Sequence, residues 1–349
     1  MKLLTLSLLA ASPAAARSYL SWMADSWILN NQEHEGPYWY GRATIYEGYE
    51  AAYSLYGNET LLDWYHSQID EVVAPDGSIV DFNETASGEE KYRLAADRIR
   101  AMLDRHPRTP TGGFWHRAPI YANQMWLDGI FMADVFYAKW TALFDAQNVT
   151  AWEDIVLQWD KIEAATRDEP TGLLVHGFDE SKTAVWADPV DGASPLVWNR
   201  AVGWYFVSLI EVLDVYPKHL DGYQRLLGYY KRLARGLLQT QDPKVHGWKL
   251  ILSKAMFAYG WLAGLRRGYI DERTYGRPAA RAYNHLIDDF VTKHQNGTLT
   301  WEGTVRVGSL NSDASFEYYT DIPVVPNDTR GVGPFLLASY EWELRQKRS

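Results

Sequence analysis

The chain is 349 residues long, 47% hydrophobic and 14% aromatic, with a formal net charge of -10, a pI near 5.4 and no cysteine. Thiol catalysis and thiolate metal sites are excluded, and an acidic chain without a basic stripe does not suit nucleic acid. The length and apolar content provide for a large core, and the lack of a Pro/Gly/Ser-rich linker or charge block favours a single domain over residues 17–349.

Residues 1–16 read MKLLTLSLLAASPAAA, with one lysine, a short apolar run and a small-residue A-x-A end. This is the pattern of a secretory signal peptide, with a buried N-terminal helix as the competing reading. It is too short to span a bilayer, and no later apolar run approaches ~18 residues, so no membrane partner is expected. Sequons at Asn58, Asn83, Asn148, Asn296 and Asn327 agree with a secreted glycoprotein.

From residue 17 onward helical periodicity dominates. It predicts helices over 17–31, 43–56, 60–73, 89–105, 124–144, 151–166, 199–216, 222–239, 254–267, 272–292 and 331–345. Asn58 before Thr60 gives a start signal, and Pro217 and Gly268 give stops. Longer loops rich in Gly, Trp, His and Asp run over 105–123, 169–198 and 296–330. Helix pairs with long loops at alternate junctions predict an all-α fold, an (α/α)6 barrel whose six hairpins close into a toroid with the loops on one active face. Such a ring takes twelve helices and this chain supplies eleven. The shortfall lies between Ser78 and Glu89, where GSIVDFNETASGEE leads from one helix almost directly into the next.

The chemistry-bearing residues sit in and beside those loops. Asp128 lies in QMWLDGIFM, 124–132, flanked by apolar residues. Burial there predicts a carboxyl with a raised pKa, protonated near neutral pH and suited to general-acid work in an aromatic pocket. An Asp that merely faces a helix N-terminus is the competing reading. GGFWH, 112–116, presents Trp115 and His116 in a turn. LLVHGFDES, 173–181, presents His176 and Asp179, without HxH or HExxH spacing anywhere in the chain, so no metal is expected. SPLVWNRAVGW, 194–204, sets Trp198 and Arg200 on either side of Asn199, a candidate cap, and arginine is the side chain best shaped for a carboxylate. Solvated loop histidines, a surface ion pair and ordinary aromatic core are the structural alternatives. Asp328-Thr329-Arg330-Gly331 reads as a cap before the last helix, and no phosphate-binding glycine loop or Gly-x-Ser-x-Gly elbow occurs.

Taken together, GGFWH, QMWLDG, HGFDES, SPLVWNRAVGW, AMFAYG at 255–260 and the block FEYY…NDTRGVG at 316–333 resemble the unsaturated rhamnogalacturonyl hydrolases, glycoside hydrolase family 105, and more distantly the unsaturated glucuronyl hydrolases. The resemblance spans nearly all of the chain after residue 16. It implies an (α/α)6 barrel that takes unsaturated uronic-acid oligosaccharides and needs no cofactor. It also implies a reaction in which Asp128 protonates C4 of a 4,5-unsaturated galacturonyl residue, water adds at C5, and the hemiketal opens to release the aglycone. By the same carry-over, His116, Trp126, His176 and Trp198 line the sugar subsite, Arg200 lies near the uronate carboxylate, and Tyr40 is a further sugar contact.

The chain departs from the family at two places. A helix opened by a second functional Asp is missing after Gly77-Ser78-Ile79-Val80-Asp81, where the helix count falls short. A loop ending in a Glu-Ser-Ser-Gly-Ser-like turn is missing between Trp248 and Ala255. Loss of a ring helix exposes the apolar faces of its neighbours. A sugar-binding relic without turnover is therefore a second reading, beside a hydrolase acting on glucuronyl or other uronyl ends.

Overall fold

The computed structural model describes residues 18–30, 39–74, 78, 90–244, 248 and 254–348. Residues 1–16, Asn83, Asp81 and residues 249–253 of the second junction lie outside that set. So does the side chain of Tyr40, although its backbone is helical.

The chain is mostly helical. In order come α1 (Tyr19–Leu29), α2 (Trp39–Tyr56), α3 (Glu59–Val72) and α4 (Glu90–Arg105). Next are β1 (Gln124–Trp126), the single turn α5 (Leu127–Gly129), a π-helical turn over Ile130–Asp134, and α6 (Val135–Phe144). Then follow α7 (Val149–Thr166), β2 (Arg167–Asp168), β3 (Leu173–Leu174), β4 (Gly177–Asp179), α8 (Asn199–Val215), α9 (Asp221–Thr240), α10 (Lys254–Arg267) and α11 (Glu272–Phe290). The chain closes with β5 (Val291–Lys293), β6 (Leu299–Trp301), the short α12 (Phe316–Thr320) and α13 (Thr329–Gln346). Each expected helix is found. The stretch expected to be helical from residue 124 instead begins as a strand and carries a π turn before α6.

Burial separates an inner ring from an outer one. α8 and α10 are buried almost all round, whereas α9 and α11 bury one stripe each, the pattern of helices that face solvent on one side. α2 packs on α13, α13 on α10, α10 on α8, and α8 on the run from α5 to α6. The inner helices approach closely. A Cβ at Gly260 of α10 would sit 2.2 Å from Cε1 of Phe206 on α8. Trp204, Tyr205, Phe206, Phe257 and Trp261 fill the ring between them, each burying side-chain surface worth roughly 1.5–3 kcal/mol. α1, α3, α4, α7, α9 and α11 form the outer layer. This is the six-hairpin (α/α)6 toroid.

Among the described residues the inner ring holds five helices, not six. Between α2 and α6 the link is electrostatic: Lys139 Nζ lies 3.1 Å from Glu47 Oε1 and 2.8 Å from Glu211 Oε2 of α8. The outer helices on that side are thinly packed. α3 buries only Leu61, and α4 buries only Ala95 and Leu103 of its apolar residues. A cavity of about 150 Å³ lies between α4 and the π turn, lined by Ile99, Met102, Leu103, Met132 and Phe136. At its wall Asp134 is buried with Oδ1 unpartnered, and burial pushes its carboxyl far above the usual range. The stretch where the sequence count falls one short, residues 79–89, lies outside the described residues.

Candidate active site

The five inner helices begin on one face, and the long loops gather there. β1 pairs antiparallel with β4, placing Met125 opposite Phe178 and Trp126 opposite Gly177. Leu127 N–H donates to the His176 carbonyl at 3.0 Å. The ladder is tight: a Cβ at Gly177 would lie 2.6 Å from the Met125 carbonyl oxygen, so no larger residue fits without moving a strand. This pairing brings Asp128, just past the end of β1, to His176, just before β4.

His176 Nε2 lies 3.0 Å from Asp128 Oδ2, and His176 Nδ1 lies 2.7 Å from the Tyr319 hydroxyl. The His176 ring is fully buried, while the Asp128 side chain remains 16% exposed. Among the described residues, Asp128 Oδ1 carries no hydrogen bond. It is the open side of an otherwise enclosed group.

The carboxyl does not behave as its apolar flanks predict. Burial pushes Asp128 up, but the hydrogen bond and charge of His176, with the charges of His116 and Arg200, outweigh it and hold the carboxyl below its ordinary value. At rest the group is a carboxylate. The expectation of an acid kept protonated by desolvation alone is corrected: it left out two imidazoles and a guanidinium brought in by tertiary structure.

The aromatic wall is stacked on itself. His116 lies on Trp126 with centroids 4.0 Å apart and planes at 12°, and Tyr121 tilts against the same indole at 4.5 Å. Trp198 stacks on Tyr319 at 4.7 Å and 24°. Trp126 and Trp198 are 5% and 3% exposed, so both are enclosed by other rings. Burial lowers the His116 imidazole to about 4, leaving it neutral near pH 7.

Arg200 is buried, donating from one terminal nitrogen to the Val305 carbonyl at 2.7 Å and from the other to the Arg306 carbonyl at 2.8 Å. Its guanidinium ties the start of α8 to the 296–330 loop and at the same time bears on the charge of Asp128. Asp179 is structural. Its carboxylate accepts from the backbone N–H groups of Ser181, Thr183 and Ala184 at 2.8, 2.9 and 2.8 Å, holding the loop after β4. Among the described residues no group of three or more His, Asp or Glu is placed to hold a metal ion.

The structure therefore brings together His116, Trp126, Asp128, His176, Trp198 and Arg200, and adds Tyr319. The model of Glycosyl Hydrolase Family 88 matches residues 15–346. The chain belongs to this family. This glycoside hydrolase is similar to a solved glycoside hydrolase of family 105 from C. acetobutylicum, at 33% identity and a TM-score of 0.87, over 94% of this chain and 100% of that one. It is 32% identical over 211 residues to a protein of the picA locus of Rhizobium radiobacter, covering 54% of this chain and 89% of the relative. It is 26% identical over 161 residues to an unsaturated 3S-rhamnoglycuronyl hydrolase of Formosa agariphila, covering 42% of this chain and 38% of the relative.

The sequence of this hydrolase does not single out Tyr319. It stood inside the FEYY block, but nothing local marks it. Its partners, Trp198 and His176, lie more than 100 residues upstream.

Proposed function

We propose that this hydrolase is secreted and removes a terminal 4,5-unsaturated galacturonyl residue from rhamnogalacturonan oligosaccharides by hydrating its vinyl ether. The observation that carries the reading is the carboxyl of Asp128, which among the described residues has no second carboxylate bearing on it, with one oxygen engaged by His176 and the other open. The groups bearing most strongly on it are His176, His116 and Arg200, none of them a carboxylate. An ordinary glycosidase needs two carboxyl groups, about 5–5.5 Å apart for retention and roughly 6.5–9.5 Å for inversion. Hydration of an enol ether needs one group that gives a proton and then takes one.

The steps follow from that geometry. A proton on Asp128 passes to C4, and positive charge develops at C5 and the ring oxygen. The Asp128 carboxylate then accepts a proton from water as the water oxygen bonds to C5. The resulting hemiketal opens to a ketone at C5, and the hemiacetal left at C1 releases the aglycone. One water is consumed, and the proton lent by Asp128 is returned. The resting carboxylate acquires its proton on binding: a uronate docked beside it adds a like charge, which disfavours ionisation.

The similarity to an unsaturated 3S-rhamnoglycuronyl hydrolase supports an unsaturated uronyl end as the reacting group. Secretion rests on residues 1–16 and on the sequons, of which Asn148 and Asn296 are exposed. The thin sector beside α3 and α4 favours a second reading, a protein that binds the sugar without turnover. Following the ultraviolet absorbance of the double bond on unsaturated rhamnogalacturonan and unsaturated glucuronyl disaccharides separates these readings. Faster loss on the first supports the proposal. Faster loss on the second reassigns the substrate. Binding by a folded protein with no loss on either establishes the second reading.

A further inference from the structure

Tyr319 belongs to α12, a five-residue helix whose N-cap, Ser315, accepts from the Tyr318 N–H at 3.2 Å. Its ring is pressed flat on Trp198, and its hydroxyl reaches His176 Nδ1 at 2.7 Å. Burial, with the negative charge of Asp128, drives the phenol up from its ordinary value, so it keeps its proton.

These facts fix the direction of each hydrogen bond when the imidazole is neutral. An ionised carboxylate only accepts, so His176 Nε2 must carry the hydrogen that faces Asp128 Oδ2. A neutral imidazole then has a lone pair on Nδ1, and the Tyr319 O–H supplies the donor it needs. The opposite tautomer sets a nitrogen lone pair against a carboxylate oxygen. It becomes tolerable only when Asp128 is protonated on Oδ2, the oxygen turned away from the open side.

We infer that Tyr319 is the positioning residue of the candidate acid: by donating to His176 Nδ1 it holds the imidazole as the Nε2–H tautomer, which claims Oδ2 and leaves the transferable proton to Oδ1 of Asp128. The inference rests on the reading of Asp128 as the acid. It assigns Tyr319 no contact with the sugar. The other charged or titratable groups bearing on Asp128 and Tyr319 are His116, Arg200, Tyr318 and Asp313, and the hydrogen bond to Nδ1 is made by Tyr319.

The test is Tyr319→Phe, which keeps the ring on Trp198 and removes only the hydroxyl. With an unsaturated rhamnogalacturonan disaccharide, kcat falls about 10-fold or more, by analogy with the loss of a partner that orients a metal-ligating imidazole, and KM changes little. The Nε2–H donation to Asp128 weakens, so the limb on which activity declines with rising pH moves to higher pH. Loss of packing alone lowers kcat and leaves that limb in place, and this result overturns the inference. A second readout does not depend on turnover or on Tyr319→Phe folding. In the wild-type protein labelled with 15N-histidine, with His176 assigned by its absence in His176→Gln, Nδ1 gives the shift of an unprotonated nitrogen and Nε2 that of a protonated one wherever the ring carries a single proton. The reverse pattern overturns the inference. The expected pattern in a protein inactive on every unsaturated disaccharide leaves the hydrogen-bond assignment standing and removes the proposed function instead.

Discussion

His176 and Asp128 meet at 3.0 Å although 48 residues separate them, because the β1–β4 ladder lays one beside the other. The contact turns a buried carboxyl into a carboxylate at rest. The acid form must therefore be generated when the anionic substrate arrives.

That requirement predicts proton uptake on binding. Calorimetry of a saturated uronyl disaccharide, which has no double bond to hydrate, binding to the wild-type protein in buffers of differing ionisation enthalpy near pH 6.5 should give a slope of up to one proton absorbed per site. Since the active form is the protonated one, kcat should rise as pH falls through the carboxyl's value in the complex. A buffer-independent enthalpy would remove this account of how the acid is loaded.

His116 predicts a specific loss of stability in acid. Its folded value of about 4 lies below the ordinary 6.5, so the unfolded chain binds the proton more readily. The penalty is absent above pH 6.5 and grows as pH falls toward 4, reaching about 3 kcal/mol at most. Unfolding of wild type and His116→Asn between pH 4 and 7 should show the steeper acid decline in wild type. Parallel curves would mean that His116 is not a buried neutral base.

Arg200 is predicted to matter for folding as well as for charge. Arg200→Lys removes the fork that holds two backbone carbonyls, and lost hydrogen bonds of a charged donor cost about 1.5–3 kcal/mol each, partly recovered by the lysine. A drop in Tm of several degrees is expected in the absence of any sugar. An unchanged Tm with a raised KM would instead make Arg200 purely a ligand for the substrate.

Glu47 offers a check on the thin sector of the ring. Burial, with repulsion from Glu211, raises its carboxyl to about 7 against the attraction of Lys139. A raised folded value means that its stabilising contribution is full below the ordinary 4.5 and is lost as pH rises through about 7. Glu47→Gln should therefore flatten the decline in stability between pH 5 and 7.5. A decline unaltered in the variant would place its cause elsewhere.

Much of this was legible along the chain. The helices could be read because each carries its own 3.6-residue pattern, whereas the stretch GSIVDFNETASGEE, where the count falls one short, lies almost wholly outside the described residues. What stayed hidden depends on pairing at a distance. A three-residue strand at Gln124–Trp126 has no local signature against a helical background, since it exists only by pairing with Gly177–Asp179. The ionisation of Asp128 could not be read from its apolar neighbours, because the groups that set it stand at 116, 176 and 200. Tyr319 is an ordinary aromatic in the sequence and acquires meaning only through His176 Nδ1.

The central claim, that Asp128 is the proton donor in vinyl-ether hydration, is tested most directly by following loss of the double-bond absorbance of an unsaturated rhamnogalacturonan disaccharide with wild type and Asp128→Asn. The account predicts steady loss in wild type and a rate at least about 100-fold lower in a folded variant, the smaller end of what general acid–base catalysis contributes. Equal rates in the two proteins, or sugar released with the double bond intact, would contradict it.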